Sequence, residues 1–130
     1  MIGLVGLSTL YGAPAQAEKW VYVTQREADG DTYKATYSID VDSLGYGGDG
    51  IIRIWQKKEI DRSSEVVVFS LYDFDCAKKE ISLRFWERYV DGYPDEVHAW
   101  DGWAARTQRV LAGSVNEEIF KAACALEPLP

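Results

Sequence analysis

Three consecutive segments of the chain alternate between apolar and other side chains, and they restrict its fold more than any other feature. The segments are residues 51–58, 65–76 and 80–90, and they are rich in β-branched and aromatic residues. Such alternation places successive side chains on opposite sides of an extended strand. Short polar stretches at 61–64 and 77–79 join the segments as turns. We therefore predict neighbouring antiparallel strands.

The glycines in residues 45–50, Gly-Tyr-Gly-Gly-Asp-Gly, match the G-x-G-x-x-G spacing of a dinucleotide-binding loop. Such a loop needs a following helix, because the helix N-terminus holds the pyrophosphate. Here the strand-like residues 51–57 follow instead. Glycine also supplies positive φ in hairpin connections. We therefore predict a hairpin turn and expect no nucleotide or other cofactor.

Further strands are predicted at 19–26, 36–40 and 97–103, which extends the sheet to about six strands. The middle of strand 65–76 is apolar on both sides and should be buried on both faces. In strand 80–90, alternation predicts two opposite faces. One face carries Ile81, Leu83, Phe85 and Tyr89, and the other carries Ser82, Arg84, Trp86 and Arg88.

One helix is predicted near the C-terminus. Ser114 and Glu117 have capping-box spacing, in which Ser114 caps the helix and Glu117 reaches back to it. Apolar residues recur at four-residue spacing in Val115, Ile119 and Ala123. A helix of about eleven residues is marginal alone and must pack on the sheet. The predicted class is α+β, an antiparallel sheet with one C-terminal helix.

The first seventeen residues contain no charged side chain and end in Ala-Gln-Ala, a small-x-small pattern that signal peptidase cuts. We predict a signal peptide at 1–17, although the usual basic residues are missing, and a mature domain at 18–130. A buried first strand is the alternative, which three glycines and a proline disfavour. No other apolar stretch approaches the roughly 18 residues of a transmembrane helix. We do not expect the domain to span a membrane.

The charge and the cysteines restrict the partners and the compartment. The formal net charge is −7, so we do not expect nucleic acid as a partner, because phosphate backbones would be repelled. The two cysteines are Cys76 and Cys124. An even count in an exported protein favours a disulfide, with two free buried thiols as the alternative. The bond would join the end of strand 65–76 to the end of the helix.

The titratable residues give little indication of catalysis or of a metal site. The single histidine, His98, has no free cysteine or ligand cluster to act with if both cysteines are bonded. Carboxylates occur in pairs beside turns, which favours a role in turn and strand-end structure. An acid–base enzyme that uses Asp73 and Asp75 remains an alternative. The pairs are Asp29 with Asp31, Asp40 with Asp42, and Asp73 with Asp75.

Arginine and tryptophan alternate on the predicted outer side of strands 51–58 and 80–90. Both residue types are enriched in binding hot spots, so we predict a surface for a protein partner. The alternative is a solvated face on which arginine stacks on tryptophan. Trp100 and Trp103 suggest a second function, the binding of a carbohydrate or small ligand in the periplasm. The residues of the predicted surface are Arg53, Trp55, Arg84, Trp86 and Arg88.

Several short motifs follow one another along almost the whole predicted mature domain. They are Trp20-Val21, Tyr37-Ser38-Ile39-Asp40 with Ser43-Leu44, Ile52-Arg53-Ile54-Trp55, Tyr72-Asp73-Phe74-Asp75-Cys76, and Gly113-Ser114 with Glu117, Phe120 and Ala123-Cys124. In this order and spacing the chain resembles the surface-adhesin protein E family of Gram-negative bacteria. The family often has proline where this chain has Ala112.

The resemblance implies a curved antiparallel sheet of about six strands, with the C-terminal helix disulfide-bonded onto its concave face. It also implies a non-catalytic exported binding module. The founding member is an outer-membrane lipoprotein that binds host matrix and plasma proteins and can dimerise. A host or envelope protein and a second copy are therefore the expected partners. A lipoprotein signal ends at a cysteine, whereas this one ends at Ala17, so a periplasmic or secreted location is expected before the cell surface.

Overall fold

The structure, a computed structural model, describes residues 19–28, 33–48, 50–99 and 106–126. The predicted signal peptide at 1–17 lies outside these residues. So do the Asp29 and Asp31 pair and both Trp100 and Trp103.

The described residues form one antiparallel sheet and one α-helix. Six strands follow the order β1-β2-β4-β5-β6-β7, while β3 pairs with β4 and β8 pairs with β6. The sheet curls into a half-barrel, which confirms the predicted α+β class. The elements are β1 (Trp20–Ala28), β2 (Tyr33–Asp40), β3 (Gly45–Gly48), β4 (Ile51–Asp61), β5 (Val66–Asp75), β6 (Glu80–Val90), β7 (Tyr93–Ala99), β8 (Arg106–Arg109) and α1 (Val115–Cys124).

The glycine-rich segment belongs to a hairpin, as predicted, although Gly45–Gly48 is itself a strand and not part of the turn. β3 pairs antiparallel with the start of β4, with Gly45 opposite Arg53. Gly50 has φ of +79°, a conformation that glycine adopts without the steric cost of a Cβ. A strand follows this segment, so it lacks the helix that a dinucleotide-binding loop needs.

The β6–β7 hairpin is tighter than predicted. Its turn needs only Asp91 and Gly92, whose φ values of 51° and 85° fit a two-residue connection. β7 therefore begins at Tyr93, four residues before the predicted start of the sixth strand. Pro94 is tolerated because β7 lies at the edge of the sheet. The short strand β8 was not predicted.

Helix α1 covers the concave side of the sheet and closes the core. Ser114 Oγ accepts a hydrogen bond from the Glu117 N–H at 3.1 Å, which confirms the predicted cap. Glu117 Oε1 accepts from the Gly113 N–H at 2.9 Å, one residue earlier than the capping box predicted. The buried core combines residues of the sheet and the helix, namely Ile39, Ile52, Ile54, Phe74, Ile81, Ile119, Phe120 and Ala123.

A disulfide between Cys76 and Cys124 ties the end of α1 to the turn after β5, as predicted. Their Cα atoms are 5.9 Å apart. An ion pair between Arg26 of β1 and Glu118 holds the other side of the helix. Within the described residues, α1 is too short and too polar to cross a bilayer.

The predicted alternation of β6 is wrong beyond Arg84. Leu71 of β5 lies opposite Phe85 and Tyr72 lies opposite Leu83, so Arg84 is an additional residue in a β-bulge. A bulge places two residues opposite one, and all later side chains then change sides. β1 has a similar irregularity between Tyr22 and Thr24.

Candidate functional site

The bulge at Arg84 divides the predicted partner surface between the two sides of the sheet. Arg53 and Trp55 lie on the convex side, away from the helix, because they alternate with the core residues Ile52 and Ile54. Arg84 lies with them, since its Nε is 3.6 Å from Asp73, which is opposite Arg53.

The other two members of the predicted surface are on the concave side. Trp86 lies opposite Ser70, and Arg88 lies opposite Val68. Ser70 and Val68 lie on the same side of β5 as the core residue Phe74. The five residues therefore do not form one surface. The predicted packing of arginine on tryptophan occurs on this side, where the Arg88 guanidinium is 5.7 Å from the Trp86 ring.

Half-buried apolar side chains cross the convex side of the sheet from β1 to β6. We call them the convex belt. Their rings contact one another, with centroids 5.9 Å apart for Trp20 and Phe69, 5.8 Å for Phe69 and Tyr89, and 5.6 Å for Trp55 and Phe85. Aromatic pairs at this spacing are favourable beyond their buried area. The convex belt consists of Trp20, Trp55, Phe69, Leu71, Phe85 and Tyr89.

Cationic side chains border the convex belt. Arg53 donates two hydrogen bonds to Asp73, at 2.6 Å and 2.9 Å, in the bidentate geometry that favours this ion pair. This hydrogen bonding raises the pKa of Arg53 above its usual value. Arg84 is bound to the same carboxylate, and Lys57 Nζ lies 4.8 Å from the Trp20 ring centroid.

A buried carboxylate lies among the residues of the convex belt. Glu87 is opposite Phe69 and is only 3% exposed. Tyr89 Oη donates a hydrogen bond to Glu87 Oε1 at 3.2 Å, and Oε2 has no partner within the described residues. Burial raises the pKa of Glu87, because the charged form loses water. Burial and the nearby Glu87 charge also raise the pKa of Tyr89.

The concave side holds a cleft of about 600 Å³ beyond the N-terminal end of α1. Gln56 and Ser70 are opposite each other and are both buried. Trp86 also lines the cleft, and its ring centroid is 5.3 Å from that of His98. We call this the concave cleft, and it is lined by Tyr37, Gln56, Lys58, Ile60, Arg62, Val66, Val68, Ser70, Tyr72, Leu83, Trp86, Arg88, Val90, Val115 and Asn116.

The two carboxylate pairs that the structure describes have structural partners. Asp40 Oδ1 accepts from the Asp42 N–H at 3.0 Å in the turn after β2, and Asp75 Oδ1 accepts from the Lys78 N–H at 3.0 Å. His98 Nε2 lies 2.9 Å from Glu96 Oε2. Within the described part of the chain, no cluster of three or more His, Cys, Asp or Glu side chains has the geometry to hold a metal ion.

Two sequence signals could have located these surfaces. The middle of β5 is apolar on both sides, which indicates that the convex side also has an apolar surface. On β4 the concave positions change from Ile52 and Ile54 to Gln56 and Lys58, which marks where the core ends and the cleft begins. Comparisons of the chain with protein-family models, with curated proteins and with solved structures find no match.

Proposed function

We propose that this protein is a non-catalytic, exported binding module whose convex belt binds another protein. The observation that carries the proposal is that the sheet is apolar on both sides, while α1 covers only the concave side. Apart from a three-residue 3-10 turn at Val41–Ser43, every other described element belongs to the sheet itself, so none forms a second layer over the belt.

The composition of the convex belt fits a protein interface. Tryptophan, tyrosine and phenylalanine are enriched at the centre of such interfaces, and arginine is enriched with them. Trp55 contributes the largest side chain near the centre of the belt, and Arg53 and Arg84 lie at its border. Two edge strands extend the apolar surface, because Tyr22 of β1 is 61% exposed and Val97 of β7 is 56% exposed.

The location and the class of partner are part of the proposal. The disulfide between Cys76 and Cys124 supports an oxidising compartment, which suits a periplasmic, secreted or surface protein. The resemblance to the surface-adhesin protein E family adds a host or envelope protein as the partner. A curled six-stranded sheet with a disulfide-bonded C-terminal helix is what that resemblance implies.

Capture of partners from a native envelope extract, with two matched tryptophan variants, tests the proposal. We expect Trp55→Ala to weaken binding of the captured protein about 30-fold, the effect of losing a hot-spot residue of about 2 kcal/mol. Trp86→Ala removes the same side chain type from the concave side and should leave binding unchanged. Retained binding in Trp55→Ala, with loss in Trp86→Ala, would contradict the proposal.

Light scattering distinguishes a foreign partner from a second copy of the chain. If the belts of two molecules pack on each other, the unmodified protein is a dimer and Trp55→Ala is a monomer. The circular dichroism spectrum of each variant should match that of the unmodified protein, which shows that the fold is retained.

Carbohydrate or small-ligand binding through Trp100 and Trp103 stays a prediction, because both residues lie outside the described part of the chain.

A further inference from the structure

The concave cleft contains a buried hydrogen-bond acceptor without a donor. Gln56 is 5% exposed, and its Oε1 accepts no hydrogen bond from any described residue. A buried acceptor without a donor costs free energy, because its hydrogen bonds to water are not replaced. Gln56 lines the cleft, but its Oε1 is closed off from water in this conformation, so a hydroxyl or N–H group of a ligand would satisfy it after the side-chain amide turns toward the opening.

The charge of the cleft is opposite to the charge of the molecule. The chain has a formal net charge of −7, yet the cleft is lined by Lys58, Arg62 and Arg88 and by no carboxylate among the described residues. Arg88 is neutralised from outside the cleft, by Asp95 at 2.7 Å and Glu96 at 2.8 Å.

Lys58 adds a further positive charge to the cleft. It forms no ion pair with another described residue, and its Nζ lies 5.7 Å from the Tyr37 ring centroid. This charge favours an anionic group in the cleft.

The walls of the cleft favour a ring with hydroxyl groups over an acyl chain. Most lining side chains can form hydrogen bonds, including Tyr37, Ser70, Tyr72 and Asn116. Trp86 adds an aromatic surface of the kind on which the apolar side of a ring can pack. The volume of about 600 Å³ is within the usual range for small-molecule sites.

We propose that the concave cleft binds a small acidic saccharide. A sugar hydroxyl donates to Gln56 Oε1, the sugar carboxylate pairs with Lys58, and the ring packs against Trp86. This site is independent of the convex belt and lies on the opposite side of the sheet.

Isothermal titration with trigalacturonate, an acidic trisaccharide, tests the proposal against neutral maltotriose, citrate and a long-chain fatty acid. We expect trigalacturonate to bind most tightly and Lys58→Gln to weaken it about tenfold or more, because a charge-assisted hydrogen bond is lost. Lys57→Gln is the matched control, since it removes the same charge from the adjacent residue on the convex side. It should leave the affinity unchanged.

Gln56→Leu separates binding from folding. It should weaken the binding of trigalacturonate about fivefold. It should also raise the melting temperature, because the unpaired acceptor is removed. The proposal is overturned if trigalacturonate does not bind at millimolar concentration, or if maltotriose, citrate or the fatty acid binds equally well. Equal losses in Lys58→Gln and Lys57→Gln would also overturn it.

Discussion

At the scale of single residues, Glu87 and Gln56 are the clearest exceptions to the rule that buried polar groups are satisfied. Glu87 lies on the convex side and Gln56 on the concave side, and each has one oxygen without a partner in the described structure. Cross-strand neighbours bury both side chains. Each residue therefore lowers the stability of the fold at a surface that we propose to bind a ligand or a partner.

Glu87 makes stability depend on pH. Its pKa is raised in the folded state, so the folded protein holds the proton more tightly than the unfolded chain. The stabilisation that comes from holding this proton is complete below the unfolded pKa of about 4.3, and it is lost as pH rises through the folded pKa of Glu87. Glu87→Gln should therefore raise the free energy of unfolding by about 1 kcal/mol at neutral pH and by almost nothing near pH 4.

Thermal melts of Glu87→Gln at both pH values measure this difference. Glu59→Gln, which changes a more exposed carboxylate on β4, two strands away in the sheet, should show no such dependence. A gain in stability that is equal at both pH values, or equal in the two variants, would contradict a role for burial at Glu87.

At the scale of elements, the fold depends on how α1 is attached to the sheet. The helix is only ten residues long and would be marginal in isolation. Its buried residues, its N-cap and the disulfide fix it at three different points. Because the helix covers most of the core, loss of an attachment should destabilise the whole domain.

Replacing both Cys76 and Cys124 with serine should lower the free energy of unfolding by about 4 kcal/mol, because the disulfide closes a long loop in the unfolded chain. Urea denaturation followed by circular dichroism measures the change. A reducing agent should shift the midpoint of the unmodified protein and leave that of the double variant in place. An unchanged midpoint in both would contradict the prediction.

The N-cap should contribute less than the disulfide. Ser114→Ala removes the acceptor of the Glu117 N–H and should cost about 1 kcal/mol of unfolding free energy. Ser63→Ala, in the exposed turn between β4 and β5, is the control and should be neutral. If urea midpoints shift equally in the two variants, the cap does not stabilise the helix.

At the scale of the whole molecule, the two sides of one curled sheet differ in what covers them. The concave side forms the core under α1 and a cleft beyond it, while the convex side keeps an apolar belt that the described elements leave uncovered. The net charge of −7 opposes association with polyanions.

The acidic charge predicts that the protein does not bind nucleic acid. Fluorescence anisotropy of labelled duplex DNA in about 0.15 M salt should not change up to about 100 μM protein, the weak end of non-specific DNA affinity. A basic protein in the same assay provides the positive control. Salt-dependent saturation by this protein would show that a basic surface outweighs its net charge.

The sequence by itself determined most of the elements and their order. Strand alternation, the cap at Ser114 and the pair of cysteines are local or countable signals, so most strand bounds, the helix and the disulfide could be predicted without the structure. Arg53 and Trp55 could also be placed together, because β4 pairs with β5 without a bulge and pleats regularly.

Only the tertiary structure decided which side the later residues of β6 occupy. The bulge at Arg84 moves Trp86 and Arg88 into the concave cleft, because one additional residue reverses a pattern of period two. The burial of Gln56 and Glu87 likewise comes from their cross-strand neighbours. Curvature and cross-strand partners are properties of the assembled sheet, and the alternation of a single strand does not contain them.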